Sequence, residues 1–412
     1  MNILIGPNGS GKSNLIQLIS LIRAAVGDFS DVTRKGGGVT EWIWKGNPKE
    51  PGSLEWIVYR SADETPLRHF FEFGIQDQRF NLEDEYIGDA TANREGEVVS
   101  YYQGLGEGMP MVEYRYGPNE ERRHAEPPLK KFNCSIVGQL KDPLGFPEFA
   151  YLAQNYEKIR ICREWSFGRS SVFREPQKAD MRNDGLEEDF SNLGLFLSKL
   201  RKTPKAKKAV IDNLKELYDG LTDFDVVVEG GTVQVFFTEG DFVIPAARLS
   251  DGTLRFLCLL AILCDPDPPP LICIEEPELG LHPDILPTVA DLLKSASERT
   301  QLIVTTHSDI LVDAMTAPPE CVVVCEKHDG KTEMTRLSSV ELSAWLFRNP
   351  GFQPGLRRDR RPRQARCPPS ETGWKPVLRI PAMASPSAAS PASTSRISFS
   401  GSWTGSARRI RR

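Results

Sequence analysis

The sequence predicts an α/β fold around a parallel sheet, carrying a β-rich lobe and a short helical insert. Three observations predict it. A short apolar strand, Asn2-Ile3-Leu4-Ile5, runs through a Gly-rich turn into a helix with Leu15, Ile16, Leu18, Ile19 and Ile22 at helical spacing. Two later apolar runs, Leu271 to Ile274 and Leu302 to Val304, are strand-like and end on polar residues. From a hairpin pattern at Val226–Val228 and Val233–Phe237, helix and strand alternate to about Leu337, as in parallel sheets with crossover helices.

Each element follows in order. Residues 1–30 read as the strand–turn–helix unit. Residues 36–170 read as the β-rich lobe, on short aromatic or alternating runs such as Leu54 to Tyr59 and His69 to Phe73, broken by Gly, Pro and Asn. Residues 180–222 read as two amphipathic helices, the first on Leu186, Phe190, Leu193, Leu197 and Leu200, the second on Val210, Leu214 and Leu217. The basic cluster Arg201 to Lys208 between them reads as a solvated helix end or, as the alternative, a patch that could meet phosphates. Residues 223–345 hold the alternating segment, with Gly230-Gly231 as the turn of the opening hairpin. Residues 350–412 are rich in Arg, Pro, Ser and Ala without period, so no structure is expected there.

Composition narrows the class. Apolar residues at 40% and charged residues at 26% fit a globular chain. The longest apolar run, Phe256 to Cys264, is about half of the ~20 residues that span a bilayer, so no membrane partner is expected. The eight cysteines include no CxxC pair, and with no signal-like start this predicts a cytoplasmic protein. The net charge of −5 hides an asymmetry: residues 351–412 carry 13 Lys and Arg against 2 Asp and Glu, leaving an acidic body. An acidic body needs a local basic patch to hold nucleic acid.

Four segments carry chemistry. Gly6-Pro7-Asn8-Gly9-Ser10-Gly11-Lys12-Ser13, with Asn14 following, fits a phosphate-binding loop placed between strand and helix. Its glycines let backbone N–H groups curl round phosphates, Lys12 reaches the terminal oxygens, and Ser13 is a Mg2+ ligand. Ile274-Glu275-Glu276-Pro277-Glu278 ends an apolar strand in consecutive carboxylates. Beside a phosphate loop, Glu275 would hold Mg2+ and Glu276 would orient or deprotonate water. Thr305-Thr306-His307-Ser308 delivers a single histidine at another strand end, and Leu249-Ser250-Asp251-Gly252-Thr253 places a Ser cap and a Gly at a helix start that could face an anion.

In this order the motifs resemble a P-loop NTPase of the ABC type, in the RecF/SMC-like branch. Within it they resemble the bacterial ATPases with an AAA-type ABC domain related to the overcoming-lysogenisation-defect proteins. Leu249 to Phe256, Ile274 to Pro283, and Arg174-Glu175-Pro176-Gln177 with Asn192-Leu193 carry the resemblance, over roughly residues 1–345. It implies ATP and Mg2+ as cofactors, and an ABC-type head that dimerises with a second copy on binding ATP. Ser250 and Gly252 would then read the nucleotide of the opposite subunit, His307 would be the switch histidine, and Gln139 would contact Mg2+ and water. DNA and a separate nuclease or effector protein are the further partners it implies, in DNA repair or phage defence. The alternatives are a transporter's nucleotide-binding subunit and a truncated, inactive gene product. The resemblance makes Leu249 to Thr253 the signature loop, and about 235 residues between it and the phosphate loop weigh against the transporter. A short opening strand and a change of composition after Asn349 raise the expectation of a further upstream strand pair and of a frameshifted tail.

Overall fold

The computed structural model describes residues 1–45, 47, 50–61, 64–92, 96, 98–104, 110–116, 121–125, 134–163, 165, 168, 171–315, 321–328, 330–349, 377–378 and 397–398. The chain divides into two compact units. One takes residues 1–7, 160–325 and 335–370, the other residues 8–159, 326–334 and 371–412. The opening strand β1 (Asn2–Ile5) belongs to the first.

The second unit begins with α1 (Lys12–Ala24) and α2 (Phe29–Lys35), the latter capped by Asp28, whose carboxylate accepts the Ser30 N–H. Six strands follow in an antiparallel sheet whose order is that of the chain: β2 (Gly52–Val58), β3 (Leu67–Gln76), β4 (Arg79–Asp89), β5 (Ser100–Gln103), β6 (Met111–Tyr116) and β7 (Glu121–Ala125). β2 alternates buried and accessible residues, as a sheet with one covered face requires. Phe29 of α2 covers that face, stacked on Phe80 with ring centroids 4.9 Å apart and tilted against Phe71. Two helices close this stretch, the single turn α3 (Ile136–Gln139) and α4 (Pro147–Lys158).

The first unit resumes with β8 (Arg160–Cys162), so the stretch expected as one lobe over 36–170 is divided at residue 160. After β9 (Gln177–Lys178) come α5 (Leu193–Arg201) and α6 (Pro204–Leu217). The first insert helix is shorter than its periodicity predicts. Asn192 donates to the carbonyls of Arg182 and Gly185 and accepts the Glu187 N–H, and Phe190 takes a left-handed φ of 60°. Leu186 and Phe190 therefore reach the apolar region from an irregular loop.

The hairpin β10 (Leu221–Glu229) and β11 (Thr232–Glu239) turns at Gly230-Gly231, both with positive φ, and β12 (Phe242–Pro245) pairs with β11. Then come α7 (Asp251–Leu263), β13 (Leu271–Glu275), α8 (Leu286–Ser297), β14 (Gln301–Thr305), α9 (Asp309–Met315), β15 (Val322–His328), β16 (Lys331–Thr335) and α10 (Ser339–Arg348). In this unit β15, β1, β14, β13 and β8 lie side by side, every pair parallel. Their apolar residues are buried on both faces, and α7 is buried from Thr253 to Leu263. The tail expected without structure lies outside the described residues apart from 377–378 and 397–398, which pair antiparallel.

Candidate active site

The Gly-rich loop leaves β1 at Gly6 and enters α1 at Lys12. Gly6, Gly9 and Gly11 hold φ values of 152°, 78° and 96°, which a side chain would strain. In the second unit a Cβ on Gly11 would also collide with the Thr332 side chain of β16. Lys12 is 7% exposed, and the buried Ser10 Oγ has no hydrogen-bond partner among the described residues. Left-handed glycines, a buried lysine, an unmatched hydroxyl and a helix N-terminus without acids in its first turn fit a bound phosphate chain. Ser13 and Asn14 follow on the first turn of α1.

In the first unit the parallel register sets the remaining groups beside the loop's first residues. Thr305, the last residue of β14, lies between Leu4 of β1 and Glu275 of β13. The Thr306 N–H donates to the Leu4 carbonyl at 3.2 Å, so three strands end at one edge, where ligands bind in such sheets. Glu275 pairs with Arg163, Nε to Oε2 at 3.3 Å, and its carbonyl accepts the Trp165 Nε1–H at 2.8 Å. Among the described residues no group of three or more His, Cys, Asp or Glu could hold a metal ion. A Mg2+ ion held by one carboxylate, a serine and phosphate oxygens needs no such group.

Glu276 has a φ of 46°, rare outside glycine. Its N–H donates to the Thr305 carbonyl at 3.0 Å, and its own carbonyl accepts from Arg255 at 3.0 Å. Held this way, its carboxylate stands 3.6 Å from His307 Nε2, with both side chains about one third exposed (36% and 35%). A carboxylate and an imidazole facing solvent at a strand edge can take and orient a proton of bound water.

Two residues of this edge had no role in the sequence reading. Glu278 accepts the Thr306 hydroxyl at 2.8 Å and the His307 N–H at 2.7 Å, clamping the turn that carries the histidine. A third carboxylate within four residues was its signal. Arg255 is 5% exposed inside the apolar α7 and stacks over Trp165 at 4.5 Å. Burial lowers its pKa to about 10 against the opposing pull of Glu278, so it stays charged at neutral pH. An arginine within an apolar helical run was the signal there.

Ser250 caps α7, its Oγ accepting the Thr253 N–H at 3.1 Å, and Arg174 pairs with Asp251 at 2.6 Å. A Cβ on Gly252 would sit 3.1 Å from the Gly280 carbonyl, so the start of α7 and the Leu279-Gly280 turn abut. Gln139 lies in the second unit at the end of α3, its Nε2–H donating to the Cys134 carbonyl at 2.9 Å. The predicted residues thus fall in two sets. Gly6, Ser250, Gly252, Glu275, Glu276 and His307 lie in the first unit; Asn8 to Asn14 and Gln139 lie in the second. Among the described residues no helix is long and apolar enough to cross a membrane.

Solved structures with a similar course are heads of Smc proteins. One is an Smc head bound to the C-terminal winged-helix domain of ScpA, at 16% identity and a TM-score of 0.45, covering 83% of this chain and 91% of that one. A second, from Pyrococcus furiosus, has 13% identity, a TM-score of 0.43 and coverage of 85% and 93%. The head from Thermotoga maritima has 14% identity, a TM-score of 0.34 and coverage of 82% and 90%. No curated protein sequence matches the chain. A family model matches residues 1–108 and 115–313, which contain the phosphate loop, both carboxylates and the histidine, and the chain belongs to that family: "AAA domain, putative AbiEii toxin, Type IV TA system".

Proposed function

We propose that this chain is an ABC-type ATPase that binds ATP as its Mg2+ complex, hydrolyses it, and dimerises on binding it. The single observation that carries the reading is the Glu276 carboxylate set 3.6 Å from His307, just past the ends of β13 and β14, with β14 lying beside β1, the strand that feeds the Gly-rich loop. Loop N–H groups and Lys12 hold the β- and γ-phosphates, and Ser13, Glu275 and Gln139 are the residues that would hold Mg2+. When bound, that ion neutralises charge on the phosphate oxygens. Glu276 accepts a proton from the attacking water as its oxygen bonds to the γ-phosphorus. The bond from that phosphorus to the β–γ bridging oxygen breaks, and its electron pair leaves on ADP. His307 steadies the γ-phosphate.

Ser250 and Gly252 serve the opposite copy's nucleotide in this reading, and the cycle serves DNA repair or phage defence, with a separate nuclease or effector as partner. The basic cluster at the start of α6 gives DNA little support, since Arg201 pairs with Asp225 and Lys207 with Asp223 at 2.8 Å. The test has two arms. Glu276→Gln should bind ATP without turnover, whereas Lys12→Ala should bind poorly. Mixing Lys12→Ala with Ser250→Arg chains should restore turnover, because one composite site keeps both intact halves. Full turnover in Glu276→Gln refutes the catalytic assignment, and no recovery in the mixture refutes the shared site.

A further inference from the structure

The second unit buries a chain of polar groups that the hydrolytic machinery does not use. His69, Glu85, Ser135 and Tyr156 are each at most 2% exposed, and Trp56 is fully buried beside them. Trp56 Nε1–H donates to the Tyr156 hydroxyl at 2.8 Å, and that oxygen lies 3.1 Å from His69 Nδ1. His69 Nε2 lies 2.9 Å from Glu85 Oε1. Glu85 Oε1 also accepts the Ser135 hydroxyl, and Oε2 accepts the Ile136 N–H at 2.9 Å.

The direction of the protons follows from donor and acceptor inventory. An indole can only donate, so the tyrosine oxygen is an acceptor there, and an Nδ1 without a proton accepts the tyrosine's own O–H. With a proton on Nε2, the imidazole donates that N–H to Glu85 Oε1. An ionised Glu85 therefore accepts three bonds, two of them from the start of α3.

That helix is a single turn, and its last residue is Gln139. It is held at both ends. At its start the Ser135 Oγ donates to Glu85 and accepts the Val137 N–H at 3.1 Å. Near its end, a Cβ on Gly138 would lie 2.9 Å from the carbonyls of Ala25 and Val26, so α3 packs backbone to backbone on the C-terminal end of α1. One turn of helix has too few internal hydrogen bonds to hold itself. Its geometry comes from these two supports.

We propose that the buried Trp56–Tyr156–His69–Glu85 chain is the device that positions Gln139, through Ser135 and Ile136, relative to the phosphate-loop helix. This rests on the reading of Gln139 as a Mg2+ and water contact. Glu85 and Ser135 are positioning residues, remote from the reacting atoms.

The test measures steady-state ATPase against Mg2+ concentration for Gln139→Ala, Glu85→Gln, Ser135→Ala and the double variant Ser135→Ala/Gln139→Ala, with thermal unfolding of each. Gln139→Ala should raise the half-saturating Mg2+ about 10–100-fold, the range for outer ligand partners. Glu85→Gln, which turns an acceptor into a donor facing Ile136 N–H or Ser135, should raise it about tenfold. Ser135→Ala should move it in the same direction and add nothing in the Gln139→Ala background. If Glu85→Gln fails to fold, Ser135→Ala, which keeps the His69–Glu85 contact, decides. A shift in Gln139→Ala alone, or fully additive shifts in the double variant, overturns the positioning role. No shift in Gln139→Ala overturns both this role and the reading of Gln139.

Discussion

In the parallel-sheet unit β13 and β14 run through apolar residues to end on Glu275 and Thr305, and the catalytic candidates Glu276 and His307 stand at the C-terminal edge with about a third of each side chain in solvent. In the antiparallel lobe the reverse holds, for His69 and Glu85 lie inside the layer between sheet and helices, out of contact with water. A group meant to meet water and phosphate needs solvent access and freedom to change protonation. A group meant to hold a short helix in place needs a dry site where each hydrogen bond is strong and each omission costly. The contrast separates chemistry from support within one chain.

The largest expected effect lies at the strand edge. Glu276→Gln should lower kcat by about 10²–10⁴ while leaving the melting temperature within a degree or two, because the exchange is isosteric and the side chain reaches solvent. A large loss of stability would show that Glu276 is structural and would break the contrast. Next comes the apolar layer itself. Leu260→Ala in α7, at a fully buried site, should cost about 2–5 kcal/mol in denaturant unfolding.

Asp265, after α7, is a smaller exception within the same unit. Burial raises its carboxyl to about 6, against the Asp267 N–H bond that lowers it. The unfolded chain keeps the ordinary value of 3.8, so the stability this carboxyl contributes should be fully present below that pH and lost as pH rises through about 6. Asp265→Asn, which keeps an acceptor for Asp267, should stabilise at pH 7 by up to about 3 kcal/mol and have no effect near pH 3. Equal effects at both pH values would remove the ionisation argument. The smallest effect belongs to the surface. Arg182 and Asp184 pair at 2.8 Å but are 52% and 70% exposed, so Arg182→Ala should cost under about 1 kcal/mol.

The amino-acid order alone determined the strand–turn–helix with its glycines, the carboxylates and the histidine ending separate apolar strands, the Ser250 cap and the hairpin at Gly230-Gly231. These are local features, written in spacings of a few residues that backbone sterics and capping chemistry translate directly. Tertiary structure alone decided the start of α5 at Leu193, where Asn192 fixes a loop that apolar spacing had suggested as helix. It alone decided that Thr305 lies between Leu4 and Glu275, that Glu278 grips the backbone of His307, and that Arg255 reaches the Glu276 carbonyl. The same holds for Glu85 and Ser135, 50 residues apart in the chain and joined only inside the fold. Strand register and buried hydrogen bonds depend on which distant segments meet, and composition and periodicity carry no record of that meeting.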